Sequence, residues 1–427
     1  MYVTIQASSL KTYTSISDLQ FNPETDVIGS TVPVNEFWVN IRTDDTIEVG
    51  SGSRISLYDD LDNLWARYWI TFAERIDKYT VRVHGESILR MAERHKRPAR
   101  MFNGVLFSSA ISDTITWTGD VIIDNEFLNV DVTGFCPEQT ARDRLQWLCL
   151  TAGAYIKQYF GDKLEILPLS DEEETLIPLN KTFWKPKVTY SDYVTEIVVK
   201  YYSYVERTPS RTESYVEADG HVYVETETSI SLRNPAAPPM ALENVVTVDG
   251  VKLINSRNAD DILAHLSTYY FKRTTVDLDA VNNGEFIPGQ RVAFYTDEDT
   301  MYSGYISSCS FSFGNQARAT MKMAAVDERD SAKVVITCLW GSMQVSQRTF
   351  SLPVGYDYTI AIPYVDLSFN AHRYVFRPRV KQVTGTVQSG GNTHTVQVDV
   401  ALDYYNGDLY VRDVDQVGMT DGVVVIT

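Results

Sequence analysis

Two acidic stretches hold residue types that could bind calcium: "YDDLDN" from Tyr58 and "YTDEDT" from Tyr295. A calcium loop needs oxygen ligands at alternate positions, a glycine for the sharp turn and a closing glutamate. Neither stretch has the DxDxDG pattern, and "DVDQVGMTDG" near the end of the chain lacks it too. All three read as solvated hairpin turns. A glycosidase needs only two carboxylates at a set separation. With 56 Asp and Glu in the chain some pair will always lie close, so acid content singles out no pair. The six histidines, His84, His95, His221, His265, His372 and His394, are isolated in sequence, which gives no support to a three-histidine metal site. The chain has no GxSxG elbow, no Walker loop, no GxGxxG and no HExxH. The expectation is no catalytic residue, no cofactor, no metal and no enzyme activity.

The same acidic stretches belong to a repeat. "GSRISLYDDLDNLWARY" from Gly52 aligns without gaps on "GQRVAFYTDEDTMYSGY" from Gly289, with six of 17 positions identical. The pairs Arg54/Arg291, Tyr58/Tyr295 and Trp65/Tyr302 hold the same places in the two copies, and these six residues are the candidate repeated structural or contact positions. In each copy apolar residues alternate with polar ones, the period of a strand. An Asp-rich stretch then supplies turn chemistry, and a second strand follows. The separation is too long for a stacked solenoid repeat, so the reading is two sibling β-modules.

The surrounding elements fit that reading. The chain has 427 residues, 44% of them hydrophobic, with 26 Tyr, 17 Phe and 7 Trp. A full core can be buried, and the aromatics favour strands. No apolar run approaches the roughly 20 residues of a membrane-spanning helix. The start, "MYVTIQASSL", has neither a basic nor an apolar signal region, and the expectation is synthesis and folding in a cytosol. Cys136, Cys149, Cys309 and Cys338 form no CxxC pair and read as reduced thiols. The net charge of −18 offers no basic footprint for specific nucleic-acid binding.

Along the chain, "ESILRMAERHK" predicts a short helix ending in the basic run Arg94 to Arg97. "TARDRLQWLCLTAGAY" predicts the clearest helix, with Thr140 as its cap and Asp143 three residues on. "YIKQYFGDKLEILPL" reads as a hairpin and "SDEEETLIPL" as an exposed acidic loop. After "VTEIVVKYYSYVERT" comes a hairpin about Asp219-Gly220, then the proline-rich linker "RNPAAPPM". A third helix is expected from Asn258, with Lys272 and Arg273 at its end. Residues 331–427 read as additional β structure with a hairpin turn at Ser389 to Asn392.

The arrangement over about residues 25 to 330 resembles the tail hub (baseplate hub) proteins of bacteriophages, with relatives in contractile injection systems and type VI secretion spikes. "VIGSTVPVNEFWVNIRTDD" is similar to the family's opening strand, and "LWARYWITFAERIDKYTVRVHGESILRMAE" to its barrel hairpin and short helix. "VTGFCPEQTARDRLQWLCLTAGAYIKQYFGDKLEILPL" resembles its Gly-x-x-Pro entry, Arg-bearing helix and Gly-Asp hairpin, here through Gly134, Pro137, Arg142, Ala152, Gly153 and Ala154. The resemblance implies a mainly β, α+β fold: a first small β-barrel module at 1–110, a connecting region with a helix and a β-hairpin at 111–187, a second barrel module with a projecting loop and helix at 188–330, and an appended C-terminal β-domain at 331–427. It also implies a homotrimer whose six modules adapt a sixfold tail tube to a threefold spike or fibre. The implied partners are the tail tube or distal tail ring protein and the distal spike or fibre protein. The implied place is the virion tail, with DNA passing through the lumen. A receptor- or glycan-binding distal tail protein, favoured by the tyrosines, is the alternative. A tail-associated cell-wall hydrolase is a second, against which the missing motifs count.

Overall fold

In the computed structural model β-strands dominate the first hundred residues, and several of them, Tyr2–Gln6, Glu36–Arg42 and Thr80–Glu86, alternate buried apolar residues with more exposed ones. The structure describes residues 1–329 apart from 48, 50–51, 117–120, 160–162, 170–174, 179–180, 184–185, 296–300 and 314–316, and beyond 330 the backbone of eight strands. The chain forms two units, Met1–Ala293 with Gly304–Asp327, and Phe294–Ser303 with Glu328–Thr427.

The first unit opens with seven strands: β1 (Tyr2–Gln6), β2 (Leu10–Tyr13), β3 (Ile16–Phe21), β4 (Glu36–Arg42), β5 (Arg54–Tyr58), β6 (Leu64–Arg75) and β7 (Thr80–Glu86). Phe37, Val39 and Ile41 of β4 all point inward and are buried, as the period of two requires. Next come α1 (Leu89–Arg94), β8 (Lys96–Arg97), β9 (Arg100–Leu106), α2 (Phe107–Thr114), β10 (Val121–Ile123), β11 (Asp131–Cys136), β12 (Gln139–Thr140), α3 (Ala141–Ala152), β13 (Ala154–Tyr159) and β14 (Lys163–Pro168). The remaining elements of this unit are β15 (Thr175–Ile177), β16 (Lys187–Tyr190), β17 (Glu196–Glu206), β18 (Tyr215–Ala218), β19 (His221–Arg233), β20 (Val245–Val248), α4 (Ala259–Tyr270), β21 (Thr274–Val281), β22 (Arg291–Tyr295), β23 (Met301–Phe313) and β24 (Ala317–Arg329); β22, β23 and β24 each lie partly in the second unit.

One sheet of 13 strands contains two sets with the same connectivity. The first runs β3-β4-β7-β6-β5-β1, with β2 added outside; the second runs β16-β21-β24-β23-β22-β15. Strand for strand, the later set repeats the order of the earlier one. The hairpins correspond as the sequence predicts: Arg54 and Arg291 open the first strand, Tyr58 and Tyr295 close it, and Leu64 and Met301 open the second. The two sets join where β3, the edge strand of the first, pairs through Phe21 with Phe311 of β23, an interior strand of the second.

In chain order, a helix-containing region with its own core comes between most of the first set and most of the second. Its core is Leu89, Phe102, Phe107, Leu145, Leu148 and Ile166, among others. Thr140 caps α3 by accepting from the Asp143 N–H at 3.1 Å, and Gly153 ends it in the left-handed region at φ 68°. α4 packs on the long antiparallel pair β17 and β19 through Ile197, Val199, Ile262 and Leu266. The hairpin β18–β19 turns at Asp219-Gly220 as predicted, both with positive φ.

Four local expectations need correction. α1 stops at Arg94, and Lys96–Arg97 instead form a strand paired with Gln139–Thr140, which ends the helix before the basic run. Asn258 precedes α4 but its side chain caps no helical N–H; it accepts from Asn255 instead, at 2.8 Å. Lys272 and Arg273 fall beyond α4, which closes at Tyr270. The expected acidic loop contains strand β15, with Ile177 fully buried, because pairing with β22 recruits its three residues; residues 170–174 lie outside the described ones.

The second unit carries β25 (Ser331–Trp340), β26 (Met343–Pro353), β27 (Ile360–Pro363), β28 (Val383–Ser389), β29 (Asn392–Val398), β30 (Ala401–Tyr405), β31 (Asp408–Arg412) and β32 (Val423–Ile426). β26-β25-β28-β29 form one sheet, with β32 on β25, and β27-β31-β30 form another. Ser389 pairs with Asn392 across the expected turn.

Candidate functional site

The first repeated hairpin is held by its own acids. The Asp59 carboxylate accepts from the N–H groups of Leu61 and Asn63, both at 2.9 Å, from Asn63 Nδ2 at 2.9 Å and from Trp65 Nε1 at 3.3 Å. Partial burial opposes its ionisation, and the hydrogen bonds from Asn63, Leu61 and Trp65 outweigh that, holding the carboxyl below its ordinary value. Asp62 sits at φ 63° and accepts from the Tyr2 hydroxyl at 2.8 Å. Asp59 is therefore engaged by the turn itself, the arrangement of an Asx turn rather than a calcium cage, and Asp62 by Tyr2 of β1. The corresponding residues 296–300 of the second copy lie outside the described ones.

The six repeated positions occupy unlike surroundings. Arg54 is exposed, and its guanidinium lies 4.7 Å from the Trp69 ring centroid, its cross-strand partner. Arg291 is only 8% exposed and lies 5.8 Å from the Tyr305 ring. Tyr58 stacks on Tyr2 at 5.2 Å, which fastens β5 to β1. Trp65 is buried, edge-on to Phe311 and Phe313 at 5.4 Å each. In the second unit, Tyr302 stacks on Phe294 at 6.3 Å, and burial pushes the Tyr295 hydroxyl up to about 12. Of the six, Arg54 presents a charged group to solvent on a rigid aromatic support.

Trp65 belongs to a seam that the repeat does not announce. Phe21 and Phe311 stack at 5.2 Å. Backbone bonds run from Thr25 N–H to Ser307 O at 2.8 Å and from Cys309 N–H to Pro23 O at 2.9 Å. Ser310 Oγ donates to Asn22 at 2.8 Å. Beside the seam is a cavity of about 190 Å³, lined by Phe21, Pro23, Trp65, Tyr68, Gly284 and Phe311 among others. It is a small, mostly apolar void with no nucleophile or acid–base pair on its wall. The only sequence signal for the seam was the alternation Phe311-Ser312-Phe313, which any half-buried strand shares.

Of the residues that carry the resemblance, Gly134 and Gly153 take positive φ, 134° and 68°. Arg142 lies 3.6 Å from Glu93. The arginine that the helix buries is Arg144, 1% exposed, which donates through Nη2 to the Pro98 carbonyl. Sequence reading missed it because Arg144 stands beside Arg142 and Asp143 in the charged first turn of α3, where a solvated arginine is the ordinary case. Cys136, Cys149 and Cys309 are free and buried; Cys338 lies beyond the described side chains. No helix among the described residues is long and apolar enough to cross a membrane.

No family model matches the chain, and no curated protein matches it in sequence. Solved structures do match. The tail protein from Neisseria meningitidis MC58 superposes with a TM-score of 0.53 at 10% identity, over 76% of this chain and 96% of that one. Prophage tail protein gp18 from Listeria monocytogenes EGD-e gives 0.50 at 9% identity, over 75% of this chain and 94% of that one. At such identities the likeness is one of fold. The fold is that of these tail proteins, mainly β with four helices among the described residues, as the resemblance implied.

Proposed function

We propose that this chain is a structural hub subunit of the tail of a bacteriophage or phage-like particle. Three copies form a ring, and their six strand sets adapt a sixfold tube to a threefold spike or fibre. The observation that carries this is the second strand set, which repeats the first strand for strand within one chain. A trimer of such a chain offers six like surfaces without six identical subunits. The shared fold with tail proteins supports the place in a tail. The net charge of −18 supports a lumen past which DNA slides, since counterion-releasing contacts need basic groups. The neighbours are the terminal ring of the tube on one side and a spike or fibre on the other.

Electron microscopy of the assembled particle tests this. The expected image has three copies in a ring at the end of the tube, with both strand sets facing like neighbours. A single projecting copy, its two sets in unlike surroundings, overturns the adaptor reading and favours a receptor- or glycan-binding protein.

Within this reading Arg54 on Trp69 is a contact anchor, because rigidly supported arginines are favoured at interface centres. Arg54→Ala is expected to weaken ring assembly by about 2 kcal/mol, roughly thirtyfold in affinity, with an unchanged melting curve for the free chain. Arg291→Ala, at a buried position, is expected to lower stability of the free chain as well. Normal assembly of the double variant would reduce both to structural residues. The reading also holds that the chain is no enzyme. Purified protein is expected to leave peptidoglycan and nucleic acid intact; turnover abolished by one carboxylate substitution would show otherwise.

A further inference from the structure

One cluster on the first strand set plays no part in the hub reading. β4 and β7 pair with Glu36 opposite Glu86 and Trp38 opposite His84. Glu36, His84 and Glu86 therefore share one face of the sheet. Two carboxylates directly opposite each other are destabilising unless something positive lies between them. Glu86 is 6% exposed and His84 8%, while Glu36 reaches the surface. One ligand atom from each of the three lies within 4.8 Å of the other two.

The imidazole is fixed in place. Its ring stacks on Trp38 at 3.9 Å and 20°. Its Nδ1 lies 3.0 Å from the Thr71 hydroxyl. Its Nε2 is buried and makes no hydrogen bond. The nearest acid oxygen, on Glu36, is 3.6 Å away, too far for one. Arg90 supplies a positive charge at 3.1 Å from Glu86 but also pairs with Glu93, which has a further cation in Arg142, and neither arginine forms an ion pair with Glu36 among the described residues. Buried polar groups are otherwise satisfied almost without exception, and this nitrogen points at two acids.

We propose that Glu36, His84 and Glu86 form a binding site for a divalent transition-metal ion of the Zn²⁺ type. His84 ligates through Nε2, and each glutamate through one oxygen. With the Thr71 hydroxyl accepting from Nδ1–H, the Nε2 lone pair is left for the ion. One nitrogen and two oxygens suit zinc with a water in the fourth position, on the side where Glu36 is exposed. Calcium and magnesium prefer all-oxygen shells, and thiolate-seeking ions find no sulfur here. The ion clamps β4 to β7 next to the start of α1.

The test uses the full chain without an affinity tag, stripped with chelator and titrated with Zn²⁺ alone by calorimetry. The expected result is one ion per chain and a melting temperature that rises with Zn²⁺. Glu36→Gln, at an exposed position that leaves the fold intact, is expected to weaken zinc binding at least tenfold. Thr71→Val, which frees the ring without removing a ligand, is expected to weaken it 10–100-fold. Co²⁺ in place of Zn²⁺ is expected to give absorption bands of a nitrogen–oxygen shell, absent in His84→Gln. A parent chain that takes up no zinc overturns the proposal, as does a Glu36→Gln chain that binds as tightly as the parent. Neither outcome depends on where the chain sits in a particle.

Discussion

Gly29→Ala is expected to cost about 3 kcal/mol or more of stability, close to the margin of an ordinary domain. Gly29 has φ +66°, and a Cβ there would lie 2.4 Å from the backbone carbonyl oxygen of Ala154. The residue sits in a turn built on Asp26, whose carboxylate accepts from Ile28 N–H at 3.1 Å and from Thr31 N–H and Ser30 Oγ at 2.6 Å each. The loop is thus pinned against the end of α3, and neither backbone can step aside cheaply. Gly104 provides the control. It has the same φ, +66°, and a Cβ added there would meet nothing within 4 Å. Gly104→Ala should cost only the left-handed conformation, about 1–2 kcal/mol. Urea unfolding of both variants measures the difference. Equal losses would show that the Asp26 turn yields and that the close approach is unimportant.

Phe311→Ala is expected to destabilise the first unit by about 3–5 kcal/mol, because it leaves a cavity where a large ring was buried. Phe311 is 6% exposed, stacked on Phe21 and edge-on to Trp65. A void of about 190 Å³ already lies beside it, so the loss enlarges an existing defect. Phe311→Leu keeps most of the volume and should cost less than half as much. Trp65 is next to the change, so its fluorescence follows the transition. The effect on function should exceed the effect on folding. The seam fixes one strand set against the other, and a ring that needs six surfaces in register tolerates little play. Phe311→Leu chains that stay folded but assemble poorly would support that link. If they assemble at parental yield, the seam serves stability alone.

Much of the local structure was legible from residues that decide it locally. Thr140 and Asp143 specify the start of α3, and Gly153 its end, because capping groups bond within one turn. Asp59 to Asn63 specify a turn for the same reason. The repeat revealed that two hairpins would match, and their strand bounds do. Less legible was β15, whose three residues form a strand only because β22 offers an edge. The basic run after Arg94 suited a helix end on charge grounds, yet pairing with Gln139–Thr140 draws Lys96–Arg97 into a strand. The repeated positions were legible as positions and not as environments: Arg54 is exposed and Arg291 buried.

The alternation of the strands, the turns and helix caps, the acidic charge and the presence of two like hairpins are written in the amino-acid order. Each of these depends on side chains a few residues apart, or on composition alone. Which strands meet is a matter of the folded chain. Folding set the shared order of the two strand sets, joined Phe21 to Phe311 across the seam, and placed Glu36 and His84 on one face with Glu86. Pairings of that kind join residues far apart in the chain, and a period of two fits many partners equally well. What selects one is the summed burial and hydrogen bonding of the whole sheet, a property that no short stretch of this chain contains.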